Sequence, residues 1–380
     1  MSQLKTNSIT NIANTGDANI TMAADGSIDC ASDVQMSSLN GGQLGGRRSL
    51  IVNGGMEIAQ RGVGPTGTTK VYATVDRMQN MCGGSFPEHS NSRQGGIGAN
   101  EAPLADGHRN YFRITNADTT VTNGTYRNFR YNVEAPDIAR CGWIPTDPES
   151  KMTISFWARS SVAFTPKLWL NMSQNGGLVY DDDSRTYNVN MPLAANTWTK
   201  IEHTFSGQAG NTLIPVSSGV AGLSMGVALY WGTNYTTTDQ PEGSWFNFVS
   251  AGRFNAMGSE WVSQNNATFD ITGLQLELGD VATPYEHRRY SDQLRDCQRY
   301  YYKIGSAGIR LYTVEHTNSS RYLRIPRPVP MASSPTEETG SPSGGDLTFF
   351  GDPDTLRIQA SGLPSGNGVI VNNYTASAEI

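Results

Sequence analysis

The chain has 380 residues, of which only 16% are charged and 41 are glycine, with 28 Lys and Arg against 34 Asp and Glu, for a net charge of −6. An acidic balance excludes the usual nucleic-acid binder, whose footprint is a Lys/Arg-rich face. Excess glycine with few charges fits a turn-rich all-β chain large enough to bury a real core.

Residues 1–46 are small and polar. Short alternating runs, Ser8–Ile12, Asn19–Ala23 and Ser27–Cys30, are separated by turn signals at Asn14–Asp17 and Asp25-Gly26. These strands hold too few large apolar residues to fold alone. They read either as a disordered tail or as a strand-rich stalk whose core forms when several chains intertwine, and the alternation of Ile, Val and Met favours the stalk. Gly41–Gly46, GGQLGG, reads as a linker. This N-terminus lacks the apolar stretch of about 7–15 residues of a secretory signal. No run in the chain approaches the roughly 18–20 apolar residues of a membrane span. The expectation is folding in a cytoplasm, without membrane insertion.

Residues 47–289 predict one large β domain. Strands are expected at Tyr111–Thr115, Phe129–Val133, Met152–Arg159, Lys167–Met172, Trp198–Phe205, Ser224–Tyr230 and Thr268–Leu278. In the last, Phe269, Ile271, Leu274, Leu276 and Leu278 alternate except for a skip at Thr272-Gly273, which predicts a bulge. Even strand spacing and little helical periodicity point to a sandwich. The one helix expected is at 290–302, where Tyr290, Leu294, Cys297 and Tyr301 share a face, Ser291 caps and Asp292 complements the dipole. Residues 304–380 then predict a small β domain with strands at Leu347–Phe350, Thr355–Ala360 and Gly368–Asn372.

Enzyme signatures are absent: the sequence holds no HExxH, GxSxG, Walker or EF-hand motif. The GxGxxG at Gly62, Gly64 and Gly67 is followed by a Pro/Thr loop instead of a helix, so it reads as a chance match. The four cysteines contain no CxxC and read as free thiols, and the five histidines show no metal-ligand spacing. The Asp181–Asp183 run reads as a solvated loop.

Seven Trp and 16 Tyr are more telling. A flat ring offers the apolar platform that a sugar's C–H face needs, while Asp, Asn, Gln and Arg supply directed hydrogen bonds. Alternation puts Trp157 opposite Ile154 and Phe156, and Trp169 opposite Leu168 and Leu170. Trp157, Trp169, Tyr180, Tyr187, Trp231 and Trp245 are therefore the candidate glycan-binding residues. A second layer over that face is the competing reading. Trp143, Trp198 and Trp261 read as core or loop anchors.

The block Arg48–Gly62, RSLIVNGGMEIAQRG, resembles the opening of a family of tailed-bacteriophage fibre and tail proteins. The resemblance resumes at Asp76-Arg77-Met78, where the family has Asp-Arg-Trp, and at Ile154–Arg159. It is strongest at Phe269–Gly279 and Ala282–Arg288, and closes at Leu294–Lys303. Asn7–Asn11 and Ile20–Gly26 are similar to fibre attachment segments. The resemblance implies a jelly-roll sandwich akin to xylan- and cellulose-binding modules, within a trimeric structural protein of the phage tail that contacts the host surface. Some modules of that fold bind a structural calcium near an N-terminal Glu and a late-strand Asp. Glu57 stands at the first place. Thr272 stands at the second, with Asp270 two residues earlier, so Glu57 and Asp270 are the calcium candidates and no other cofactor is expected.

The reading that follows is a non-enzymatic fibre. Residues 1–46 attach to other tail proteins, residues 47–289 form the sandwich, 290–303 a connecting helix and 304–380 a distal tip. The partners expected are two further copies of the chain and host cell-surface polysaccharide. The alternatives are a connector, baseplate or collar component without receptor binding, a polysaccharide depolymerase, and a carbohydrate-binding module of an exported bacterial protein.

Overall fold

The computed structural model describes residues 47–64, 72–84, 90–172, 184–304 (212, 215 and 218 apart), 321–338, 346–361 and 374–380, with the backbone of short strands elsewhere. Three of those strands, β1 (Ser8–Ile9), β2 (Ile20–Met22) and β3 (Ile28–Cys30), pair antiparallel in the N-terminal zone.

The large unit is mainly β. Its elements are β4 (Thr66–Gly67), β5 (Gln79–Gly83), β6 (Ser90–Gly95), α1 (Ala102–Ala105), β7 (Asn110–Thr115), β8 (Tyr126–Glu134) and α2 (Ala135–Arg140). They continue with β9 (Lys151–Ser160), β10 (Lys167–Met172), β11 (Arg185–Asn190), β12 (Thr199–Ser206), β13 (Ala221–Trp231), β14 (Phe246–Asn247) and β15 (Thr268–Leu278). Two six-stranded antiparallel sheets result, ordered β14-β11-β10-β13-β8-β5 and β12-β9-β15-β7-β6-β4. The chain crosses repeatedly between the sheets, from β8 to β9, β9 to β10, β11 to β12 and β12 to β13. This is the jelly-roll arrangement.

Alternation builds the core. β9 turns Met152, Ile154, Phe156 and Ala158 inward, and β10 turns Leu168, Leu170 and Met172 to meet them, all buried. Burying each such large side chain contributes about 1.5–3 kcal/mol. In β15 the pairing slips between Thr272 and Gln275, so Phe269 and Ile271 before the slip and Leu274 and Leu276 after it all face inward. Gly273 makes this possible: its φ is 65°, and a Cβ there would lie 2.5 Å from His108 Nε2.

The N-terminal block of the sandwich is a structural knot. Asn53, at φ 65°, donates to the carbonyls of Ile58 and Asp76 at 2.9 Å and accepts from the Ile58 N–H at 2.9 Å. Gly54 lies so close to β15 that a Cβ would fall 1.9 Å from the Leu274 carbonyl oxygen. The block that carries the family resemblance thus ties chain entry to the last strand.

The expected helix is α3 (Tyr290–Gln298), shorter than read. Ser291 is not its cap: Arg289 stands at that position, with no side-chain cap. Leu294 and Cys297 pack on Val52 and Ile58, but Tyr290 is 61% exposed and Tyr301 has already entered the next strand. Two short helices, α1 and α2, were not expected, and each carries a proline in its first turn. Gly62 and Gly64 sit in a loop at positive φ, in keeping with a chance GxGxxG. Cys82, Cys141 and Cys297 are free thiols, while Cys30's side chain lies outside the described residues.

The C-terminal unit comprises β16 (Tyr301–Lys303), β17 (Ile309–Tyr312), β18 (Arg321–Pro326), β19 (Thr336–Glu338), β20 (Asp346–Gly351), β21 (Thr355–Ser361), β22 (Gly368–Val371) and β23 (Thr375–Ser377). They form three small sheets, β16-β23-β19, β17-β22 and β18-β21-β20. Met331, Leu356, Ile358, Tyr374, Ala376 and Ala378 give it a core of its own. Two ion pairs join it to the sandwich: Arg299, at the end of α3 just before β16, grips Glu134 at 2.6 and 3.0 Å, and the buried Arg77 donates to Glu379 at 2.6 Å.

Candidate functional site: an aromatic face of the second sheet

The six aromatic candidates separate into three groups, apart from Tyr180, which lies outside the described residues. Tyr187 and Trp245 are core residues, 5% and 4% exposed, which corrects the expectation for both. Tyr187 pairs with Leu170, whose side chain points inward, so alternation sends the tyrosine between the sheets. There it meets Trp245 at 5.5 Å between ring centroids and shares a 2.8 Å hydrogen bond with His203 Nε2. Trp245 Nε1 donates to the Ser206 carbonyl at 2.9 Å.

Trp169 and Trp231 do stand on the outer face of the first sheet, Trp231 because the register slips between Ala228 and Tyr230. The loop after β13 seals them there. Phe254 and Tyr235 close on Trp231 at 5.4 and 4.9 Å, and the Arg253 guanidinium lies 4.9 Å from its ring centre. Trp169 Nε1 is spent on Asn128 Oδ1 at 2.8 Å. The remaining void is about 10 Å³, room for at most a water. The covering layer wins here, and neither residue is available to a ligand.

Trp157, alone of the five described candidates, stays half-buried on an outer face, that of the second sheet. Its neighbours across the strands are Lys200 on β12 and Thr272 on β15. Its indole N–H donates to Asp106 Oδ2 at 3.0 Å, and Lys200 Nζ lies 3.7 Å from the same oxygen. Two residues along β9, the Arg159 guanidinium lies over Trp198, 4.5 Å from the ring centre. Tyr111 meets Trp198 edge-on at 5.6 Å. Trp198, read from the sequence as an anchor, and Tyr111, which carries no sequence signal of a site, thus join this face. The period of β12 carried the signal for Trp198: Ile201 faces inward opposite Phe156, so Trp198, Lys200 and Glu202 do not.

Charge beneath the rings is tightly held. Asp270, 1% exposed, receives Arg113 Nε and Nη2 at 2.7 and 2.9 Å and Arg159 Nε at 3.0 Å. Arg159 also pairs with Glu101. Burial works against the Glu101 charge, yet the Gly98 N–H at 2.7 Å and the Arg159 guanidinium outweigh it and hold the carboxyl below its ordinary range. The two calcium candidates, Glu57 and Asp270, do not share a cluster of metal-ligating groups among the described residues. Two guanidiniums occupy the Asp270 carboxylate where a cation would have to approach, and the Thr272 hydroxyl donates to the Asn110 carbonyl at 2.6 Å.

Behind Trp157, His108 is 2% exposed and edge-on to Tyr285 at 4.6 Å. Burial, then the neighbouring His287, pushes its pKa down from 6.5 to about 4. His287 Nε2 donates to the Asp106 carbonyl at 2.6 Å, fixing the loop that presents the Asp106 carboxylate to Trp157. The face therefore combines a half-buried indole, the Asp106 carboxylate and the cationic Lys200 and Arg159. Two further carboxylates beside it, Asp270 and Glu101, are both committed to Arg159.

No family model matches the sequence, and no curated protein matches it. Among solved structures the chain is similar to the enzymatically active domain of tailspike protein 4 of bacteriophage CBA120, with 10% identity and a TM-score of 0.32, over 60% of this chain and 21% of that one. It is also similar to the CBM22-1 xylan-binding domain of Xyn10C from Paenibacillus barcinonensis, with 9% identity and a TM-score of 0.30, over 64% of this chain and 100% of that one. A third likeness is to the family 11 carbohydrate-binding module of the cellulase Lic26A-Cel5E from Clostridium thermocellum, with 13% identity and a TM-score of 0.28, over 60% of this chain and 99% of that one.

Proposed function

We propose that the chain is a non-enzymatic phage tail fibre protein that contacts a host surface polysaccharide through the outer face of its second sheet. The observation that carries this reading is the half-buried indole of Trp157, bonded to Asp106 beside Lys200, with Arg159 two residues along the strand lying over Trp198 of the Trp198–Tyr111 pair. Aromatic rings beside directed polar groups are what a sugar's apolar face and hydroxyls require. The fibre assignment draws on the ordered blocks from Arg48 to Lys303 described above. In this reading residues 1–46 attach to the tail and the protein is a homotrimer of the virion tail. Three weak sites then gain avidity from being linked.

The test is adsorption to host cells and binding on a bacterial glycan array, with the full chain and the variants Trp157→Ala and Trp198→Ala. The expected result is at least a tenfold loss in both variants with the melting temperature nearly unchanged. Unchanged adsorption in both would sink the sheet-face reading. Light scattering on the full chain, with and without residues 1–46, tests the trimer separately.

A further inference from the structure

Two hollows of the described molecule lie away from the aromatic face, where α2, α3 and the C-terminal unit meet the start of the sandwich. Two lobes, of about 270 and 290 Å³, share Arg47, Val52 and Asp137 and so form one groove. The combined size falls within the range of a ligand site. Its lining is uneven. Leu50, Val52, Pro136, Leu278, Val329 and Pro330 supply apolar surface. Five arginines, Arg47, Arg48, Arg140, Arg295 and Arg299, line it against three carboxylates, in a chain whose net charge is −6.

The carboxylates cancel that charge only in part. Glu277, 2% exposed, is satisfied internally by the Thr283 N–H and hydroxyl at 2.9 and 2.6 Å. Asp296 is shared by Arg47 and Arg288. Arg299 is committed to Glu134. Arg140 ends α2 and Arg295 lies in the last turn of α3; both are exposed, and neither has a side-chain partner among the described residues. They flank the groove as free cationic forks, one in each lobe.

We propose that this groove binds an extended acidic polypeptide segment of a partner protein, with Arg140 and Arg295 each receiving a carboxylate. A guanidinium fork matches a carboxylate in two parallel hydrogen bonds. The apolar floor accepts the intervening side chains, and Asp137, at the junction of the lobes, accepts backbone N–H groups. The lining argues against a sugar: its one aromatic residue, Tyr300, is 3% exposed, so no ring is offered for stacking. The groove begins at Arg47, where the N-terminal zone joins the sandwich, which places the partner beside that junction. None of these residues belongs to the Trp157 face, so this proposal and the glycan reading stand or fall separately.

The test uses the full chain. A random dodecapeptide display library is selected on the wild type and counter-selected on the Arg140→Glu/Arg295→Glu variant, whose exposed substitutions leave the core untouched. The expected outcome is enrichment of peptides carrying two or more Asp or Glu. Synthesised and labelled, these bind the wild type at least tenfold more tightly than the variant, and less tightly as salt rises. Enrichment of neutral or basic peptides, equal binding by the variant, or no peptide that survives counter-selection overturns the proposal. So does polygalacturonate or polyphosphate binding the wild type more tightly than every selected peptide.

Discussion

Arg77 donates to the Glu379 carboxylate at 2.6 Å, with the two side chains 0% and 4% exposed, so a buried ion pair joins the sandwich to the end of the C-terminal unit. The Arg77 guanidinium also lies 3.6 Å from the Tyr300 ring centre and donates to the Asn132 carbonyl. Arg61 stands 3.2 Å from the other Glu379 oxygen. Removing one partner strands a buried charge, which costs about 3–5 kcal/mol. Glu379→Ala is therefore expected to lower the urea midpoint sharply. Replacing both partners, as Arg77→Met/Glu379→Met, recovers most of the loss. A single variant as stable as the wild type would show that the pair does not anchor the unit.

Two buried groups give stability opposite slopes with pH. His108 is held down at about 4 against an ordinary 6.5. Between those values the unfolded chain binds the extra proton, so this contribution is lost as pH falls from about 6.5 to about 4. Asp76 is raised from 3.8 to about 6, chiefly by burial and partly offset by Arg61. In its window the folded chain binds the extra proton, so stability falls as pH rises from about 4 to about 6. Each effect is on the order of 3 kcal/mol. His108→Asn is expected to flatten the acid-side loss, and Asp76→Asn to steepen it, in unfolding free energies measured from pH 4 to 6.5. Parallel profiles for wild type and both variants would refute the assignment.

Trp169 and Trp157 are both outward-facing tryptophans of the sandwich, yet they should respond oppositely to truncation. Trp169 is 3% exposed among Ala228, Trp231 and Phe254. Trp169→Ala should cost about 3–5 kcal/mol, while the protein that remains folded binds glycan as before. Trp157→Ala should leave stability within about 1 kcal/mol and remove binding. Chemical unfolding and glycan binding measured on the same preparations separate the two, and a reversed pattern would move the site to the first sheet.

Periodicity made the sandwich legible. Lys167–Met172 and Thr268–Leu278 are strands over the spans expected, and the skip at Thr272-Gly273 is a bulge. The strand β11, Arg185–Asn190, was missed because its six residues hold only Tyr187 and Val189 as apolar signals. At the site, alternation told which face a residue occupies but not what lies over that face. Trp157 and Trp169 read alike in sequence. The difference comes from the loop carrying Tyr235, Arg253 and Phe254, a contact across more than 60 positions in the chain. Nor could spacing reveal that Asp270 would be claimed by Arg113 and Arg159, which reach it from two other strands.

That claim on Asp270 yields a direct test of the calcium question. A carboxylate 1% exposed and held by two guanidiniums already has its charge compensated. A divalent ion could enter only by displacing both arginines and stranding them. Chelation with EDTA is therefore expected to leave the melting temperature unchanged, and added calcium not to raise it. Asp270→Ala, by contrast, leaves two arginines facing each other across the sheet and should cost about 3–5 kcal/mol. Asp270→Asn keeps the shape and some hydrogen bonds but not the charge, so its loss should be smaller. A calcium-dependent rise in melting temperature that Asp270→Asn abolishes would instead mean that the arginines swing away to admit the ion.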